Sequence, residues 1–186
     1  MRICLDPGHD GVIDPGAVGQ GGTLESDVAL AVCQYAKDFL EANGHEVMLT
    51  RSAPDADVNE LYVRTAMAQE WGADIFVSVH CNSFSDPETH GFEVWTTRGQ
   101  DDSDALATAL FESIQSNFPQ LFGRQDTSDG DVDKEAGFAV LKGGMPSALI
   151  ELAFVSNPEE ELILSNPAYQ KLFGLAISTG IQRYGG

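Results

Sequence analysis

The chain has 186 residues, 42% of them hydrophobic, which is enough for one domain with a sizeable core. Twenty-nine acidic against ten basic residues give a formal charge of -19, and that balance excludes general binding to nucleic acid or to anionic membrane surfaces. No apolar run reaches the roughly 18 residues of a membrane span, and the amino terminus lacks the basic-then-apolar order of a secretory signal.

In chain order, Arg2 to Leu5 reads as a short buried strand running into the turn "DPGHDG". Gly, Pro and Asp account for the turning; His9 is not needed for it. After a glycine-rich loop, Ser26 is placed to cap a helix with the apolar face Ala29, Val32, Cys33, Ala36 and Leu40, ending near Gly44. Val47 to Thr50 follows as a strand. Asp57 with Glu60 makes a capping-box-like start for a helix to about Trp71, and "ADIFVSVH" carries a buried strand over Ile75 to Val79. Phe92 to Thr96 alternates as another strand, and Leu106, Ala107, Leu110, Phe111, Ile114 and Phe118 mark one face of a third helix.

Pro119 to Gly137 has almost no periodicity and reads as a long loop. Asp129, Asp131 and Asp133 within it sit at calcium-loop spacing. Lys134 stands where such a loop needs glycine, however, and Val140 where it needs its closing glutamate, so that motif fails. Phe138 to Leu141 and Ala148 to Ile150 read as short strands. Asn157, Pro158 and Glu160 start a short helix, and Asn166 with Pro167 starts the last one. Strands alternating with helices predict a single α/β domain over residues 1–186, a three-layer arrangement in which a twisted, mostly parallel sheet of about six strands carries helices on both faces.

In such sheets ligands bind beyond the carboxyl ends of the strands. His9 follows the first strand, His80 closes "IFVSVH", Glu151 closes "SALIE", and Glu25 stands at the mouth of the first helix. Two histidines with one carboxylate suit a catalytic zinc with an open fourth position, and a second carboxylate there can carry protons. Read singly, His9 is a turn residue, His80 a satisfied core histidine and Glu25 a favourable charge at a helix start. Glu151 is harder to place as structure, since a carboxylate ending an apolar run is costly if buried unpaired.

The stretches "ICLDPGHDG", "GTLESDVAL", "GHEVMLTR", "ADIFVSVHCNS", "HGFEVW" and "PSALIELAFVSN" span nearly the whole chain. Together they resemble the zinc-dependent N-acetylmuramoyl-L-alanine amidases, a cell-wall family whose catalytic domain has this size. The resemblance implies zinc held by His9, Glu25 and His80, with Glu151 as the catalytic glutamate. It implies hydrolysis of the amide between N-acetylmuramic acid and the L-alanine of the peptidoglycan stem, with Asn82 and Asn157 in support of the site. It also implies action at the bacterial cell wall with peptidoglycan as partner; the missing export signal leaves phage-type release or a removed segment as the route, and charge and hydropathy argue against nucleic acid and membrane insertion. No separate wall-binding domain and no oligomeric state are read from the sequence.

Cys81 departs from the family pattern, where a small residue commonly follows the histidine, and it raises a rival reading as a cysteine nucleophile. Adjacent residues on a strand point to opposite faces, so His80 and Cys81 are poorly placed as a pair. A non-catalytic wall-binding module is a second rival, disfavoured by the intact four-residue set. Nucleotide binding fails because "GQGGTL" puts Leu24 where the third glycine of a dinucleotide loop belongs. His45 and His90 read as surface residues. Cys4, Cys33 and Cys81 form no C-x-x-C pair and read as small buried hydrophobes.

Overall fold

A computed structural model describes residues 1–128 and 130–186. Among them a six-stranded sheet runs in the order β2-β1-β3-β6-β4-β5. Its strands are β1 (Arg2–Pro7), β2 (Glu46–Leu49), β3 (Ile75–Asn82), β4 (Glu93–Thr96), β5 (Lys134–Glu135) and β6 (Ser147–Phe154). The first four in the spatial order are parallel, β4 joins β6 antiparallel, and β5 runs parallel to β4.

The helices are α1 (Glu25–Ala42), α2 (Leu61–Trp71), α3 (Asp102–Asn117), α4 (Pro158–Leu164) and α5 (Pro167–Tyr184). Strand alternation sorts the core into two layers. Ile3, Leu5, Val77, Val79 and Ile150 pack on one face with the apolar stripes of α1, α3 and α5. Cys4, Phe76 and Leu149 pack on the other with Ala68 of α2 and with Val140 and Leu141. Helices therefore cover both faces, as the alternating pattern predicts. No helix of the described residues is long and apolar enough to cross a membrane.

Four local readings are corrected. α1 begins at Glu25 with Leu24 in the capping position and no side-chain cap, because Ser26 is buried inside the helix and the Glu25 carboxylate is turned inward. Asp57 lies in a separate 3₁₀ turn, Ala56–Val58, where its own N–H is taken by the Asp55 side chain at 3.0 Å; α2 starts only at Leu61. Phe138 to Leu141 is not a strand. Ala139–Leu141 form a 3₁₀ turn that buries both Val140 and Leu141 on one side, which consecutive strand residues cannot do. The sixth strand comes instead from Lys134–Glu135, inside the expected loop, and Asp129 of that loop lies outside the described residues.

β3 and β6 also run further than their apolar cores suggest. His80 and Glu151 are thus held within the ladder, paired in register, beside a bulge between His80 and Asn82. Bulges of this kind re-aim side chains at the rims of sheets.

Candidate metal centre and active site

β1 delivers the chain into a tight turn in which His9 sits at φ 59°, the left-handed region uncommon for a residue with a Cβ. Two buried arginines hold that turn by its carbonyls. Arg51 Nε donates to His9 O at 2.8 Å, and its Nη2 donates to Gly8 O and Ser26 O, each at 2.8 Å. Arg64 donates to Pro7 O at 2.8 Å, His9 O at 2.6 Å and Asp6 Oδ1 at 2.7 Å. Asp6 completes its shell with the hydroxyls of Thr50 at 2.6 Å and Ser78 at 2.7 Å.

Beyond the turn, Asp10 Oδ1 accepts the N–H groups of Val12 at 2.5 Å and Ile13 at 2.6 Å and folds the loop back. That fold brings Asp14 Oδ2 to 2.7 Å from His9 Nδ1. Such a carboxylate accepts the Nδ1 proton in a hydrogen bond and orients the ring so that Nε2, once deprotonated, is the ligand atom.

Glu25, at the start of α1, is the meeting point. Its Oε1 lies 3.0 Å from His9 Nε2 and 2.9 Å from His80 Nδ1, and it accepts the Cys81 N–H at 3.1 Å. Its Oε2 accepts the Ala17 N–H at 2.8 Å. The two imidazole rings stand nearly perpendicular with centroids 5.0 Å apart. One donor atom from each of His9, Glu25 and His80 falls within 4.8 Å of the other two, so this group can hold a metal ion.

Burial disfavours the Glu25 anion, yet hydrogen bonds and charge from His80 and His9 outweigh it and hold the carboxyl well below its usual range. Burial likewise opposes protonation of His9, but Glu25 and Asp14 raise it to about 9. His80 is raised despite burial by its hydrogen bond to Glu25 and by the Glu151 charge.

Glu151, on β6, pairs in register with His80 of β3 on one side and with Glu93 of β4 on the other. Its Oε2 is buried with no hydrogen-bond partner among the described residues. Burial, with Glu25 and Glu93 adding to it against the opposing pull of His80, pushes its carboxyl up to about 7. Glu93 is occupied: Oε1 accepts from Arg124 Nε at 2.6 Å and Lys134 Nζ at 2.8 Å, and Oε2 from Trp95 Nε1 at 3.0 Å and Asn82 Nδ2 at 3.1 Å. Asn82 thereby links the end of β3 to the carboxylate behind Glu151.

All four residues open into a cleft of about 480 Å³ whose walls include Asn59, Leu61, Asn82, Ser83, Phe138 and Ala139. Asn157 lies outside that lining. Its Oδ1 caps α4 by accepting from Glu159 and Glu160, and its Nδ2 donates to Pro87 O at 2.9 Å, pinning the loop before β4. Cys81 is buried in the core and burial pushes its thiol well up, which leaves it unsuited to nucleophilic work. His90 is exposed, with Nδ1 2.8 Å from Glu88 O.

Asp14, Arg51, Arg64, Asp6 and Glu93 escaped the sequence reading. The available signal was scarcity: in a chain with ten basic residues, an Arg directly after an apolar strand and another inside a helix are candidates for buried pairing.

A family model described as N-acetylmuramoyl-L-alanine amidase matches residues 3–183. N-acetylmuramoyl-L-alanine amidase AmiC of Neisseria meningitidis is 34% identical over 220 residues, an alignment covering 98% of this chain and 52% of that protein. AmiA of Escherichia coli is 29% identical over 221 residues, covering 98% of this chain and 75% of that one. The chain thus spans about half the length of the Neisseria relative and three quarters of the Escherichia one. The solved structure of AmiC2 of Nostoc punctiforme superposes with a TM-score of 0.89 at 34% identity, covering 99% of this chain and 96% of that one. The chain belongs to the N-acetylmuramoyl-L-alanine amidase family and shares the fold of its solved members.

Proposed function

We propose that this domain hydrolyses the amide joining N-acetylmuramic acid to the L-alanine of the peptidoglycan stem, at the bacterial cell wall, with zinc held by His9, Glu25 and His80 and with Glu151 as proton carrier. The observation that carries the reading is the convergence of two imidazoles on one carboxylate oxygen, beside a second buried carboxylate, in a single cleft. The donor set is nitrogen and oxygen, the cluster opens on one side to the cleft, and Asp14 orients one ring from behind; these are the features of a catalytic zinc site.

Zinc, when bound, supplies a Lewis acid that polarises a scissile carbonyl and makes water a stronger nucleophile near neutral pH. The chain's own residues do the rest. Glu151, with a carboxyl poised at about 7, takes the proton of the attacking water and returns it to the departing amide nitrogen. Glu93, held by Arg124 and Lys134 beside Glu151, adds to the burial that raises the Glu151 carboxyl and so favours its proton-holding form. Side chains from α2, β3 and the 138–141 turn wall the cleft in which the substrate would lie.

The test is metal analysis of Glu151→Ala beside an assay on peptidoglycan that counts new amino-terminal alanine. Zinc should be retained and hydrolysis should fall by about 100- to 10,000-fold. Unaltered turnover removes Glu151 from the mechanism. Inhibition by a thiol alkylator but not by a chelator would transfer the reaction to Cys81.

A further inference from the structure

A second group of carboxylates lies outside the catalytic cleft, where the segment leading into β5 meets the start of α3. One oxygen from each of Asp104, Asp131 and Asp133 lies within 4.8 Å of the others. Asp104 is 8% exposed and Asp133 1%. Each has one oxygen engaged by an uncharged donor. Asp133 Oδ2 accepts from Thr96 Oγ1 at 2.5 Å, Asp131 Oδ2 from Gln100 Nε2 at 2.9 Å, and Asp104 Oδ2 from the Asp101 N–H at 2.6 Å.

The other oxygens of Asp131 and Asp133 are buried with no hydrogen-bond partner among the described residues. No Lys or Arg forms an ion pair with any of the three among those residues, although Arg183 lines the same surface depression. Burial, together with Asp131 and Asp104, pushes the Asp133 carboxyl up to about 7. A nearly inaccessible carboxylate with a bare oxygen beside two more carboxylates lacks a positive partner, and unpaired buried charge is costly.

We propose that Asp104, Asp131 and Asp133 form a binding site for a hard divalent cation, calcium, separate from the catalytic centre. The donors are all oxygen, with neither His nor Cys, which selects calcium or magnesium over zinc. Three carboxylates drawn from α3 and from the segment before β5 suit the variable coordination of calcium better than the strict octahedron of magnesium. The failed loop motif explains why spacing alone misses the site: Asp104 comes from α3, some thirty residues earlier in the chain. A bound ion would tie the segment before β5, and hence Lys134 and its contact with Glu93, to α3. With three carboxylates at a partly open site, affinity should fall near 0.1–1 mM, the range of extracellular calcium modules.

The experiment uses the zinc-loaded protein, titrated with calcium chloride by calorimetry and melted with and without about 10 mM calcium. A single site and a rise in melting temperature of about 3–8 °C are expected. Asp133→Asn and Asp131→Asn should each abolish the heat and the shift, and Asp131→Asn, the less buried position, carries the test if Asp133→Asn does not fold. Absence of heat at about 10 mM, a shift reproduced by sodium chloride of equal ionic strength, or a shift kept by the variants overturns the site.

Discussion

Asp14 Oδ2 lies 2.7 Å from His9 Nδ1, on the side of the ring away from Glu25. The contact turns Nε2 toward Glu25 and His80, where its lone pair serves a metal once the ring gives up its proton, and fixes a ring whose backbone is already in an unfavourable region. Asp14→Ala should weaken metal affinity by about 10- to 100-fold while leaving the melting temperature of the metal-free protein nearly unchanged, since the Asp14 side chain is half exposed. Competition with a chromogenic chelator measures this. An unchanged affinity would make the contact incidental.

The same geometry sets the proton balance of metal uptake. His9 is raised to about 9 and His80 is also raised, so the metal-free protein at neutral pH carries protons that a ligand imidazole must surrender. Raised values mean the protonated forms dominate below them. Apparent zinc affinity should therefore climb as pH rises from about 7 to 9, by up to tenfold per unit for each proton released, and flatten above that interval. Calorimetry in two buffers of different ionisation enthalpy should show at least one proton released per ion at pH 7. Zero release would contradict the shared carboxylate arrangement.

The general plan was legible in the sequence because it rests on local periodicity: β1, β3 and α1 announce themselves by apolar spacing, and His9 and His80 stand where apolar strands give way to polar residues, whereas Glu151 interrupts β6 with Leu152, Ala153 and Phe154 buried beyond it. The framework behind them was not legible, because Arg51 and Arg64 act through carbonyls that only the folded turn gathers together. The 138–141 segment misled for a related reason. Four apolar residues in a row satisfy a buried strand or a buried turn equally well, and the choice was made by α2 and Leu149 packing against Val140 and Leu141.

Arg64 and Asp6 are both almost wholly inaccessible, and their 2.7 Å ion pair also carries the Pro7 and His9 carbonyls. Breaking a buried pair leaves one charge uncompensated, so Arg64→Met should destabilise the fold by about 3–5 kcal/mol, seen in urea denaturation. Burial opposes the Asp6 anion, but Arg64, Thr50 and Ser78 outweigh that and lower its carboxyl below the ordinary value. A lowered folded value means the stabilisation is complete above about pH 4 and is lost as pH falls further. The variant's stability should accordingly vary less than the parent's over the acid range. A steeper acid dependence in the variant would contradict this.

Gly8 and Gly16 separate the site from the fold. A methyl on Gly8 would come within 2.6 Å of His80 Nδ1 and 2.7 Å of its Nε2, and one on Gly16 would lie 2.5 Å from His9 Cδ2 and 2.6 Å from Glu25 Oε2. Gly8 does not occupy the left-handed region, so Gly8→Ala carries no backbone penalty of that kind and acts by pushing the His80 ring. Gly22 is the converse: it sits at φ 91° with nothing within 4 Å of an added Cβ. Gly22→Ala should cost about 1–2 kcal/mol through strain yet keep its metal. Gly8→Ala should retain its melting temperature in the metal-free state within a few degrees while its metal content falls below half that of the parent. If Gly8→Ala binds the ion as tightly as the parent, the position of the His80 ring seen here is not the one that coordination requires.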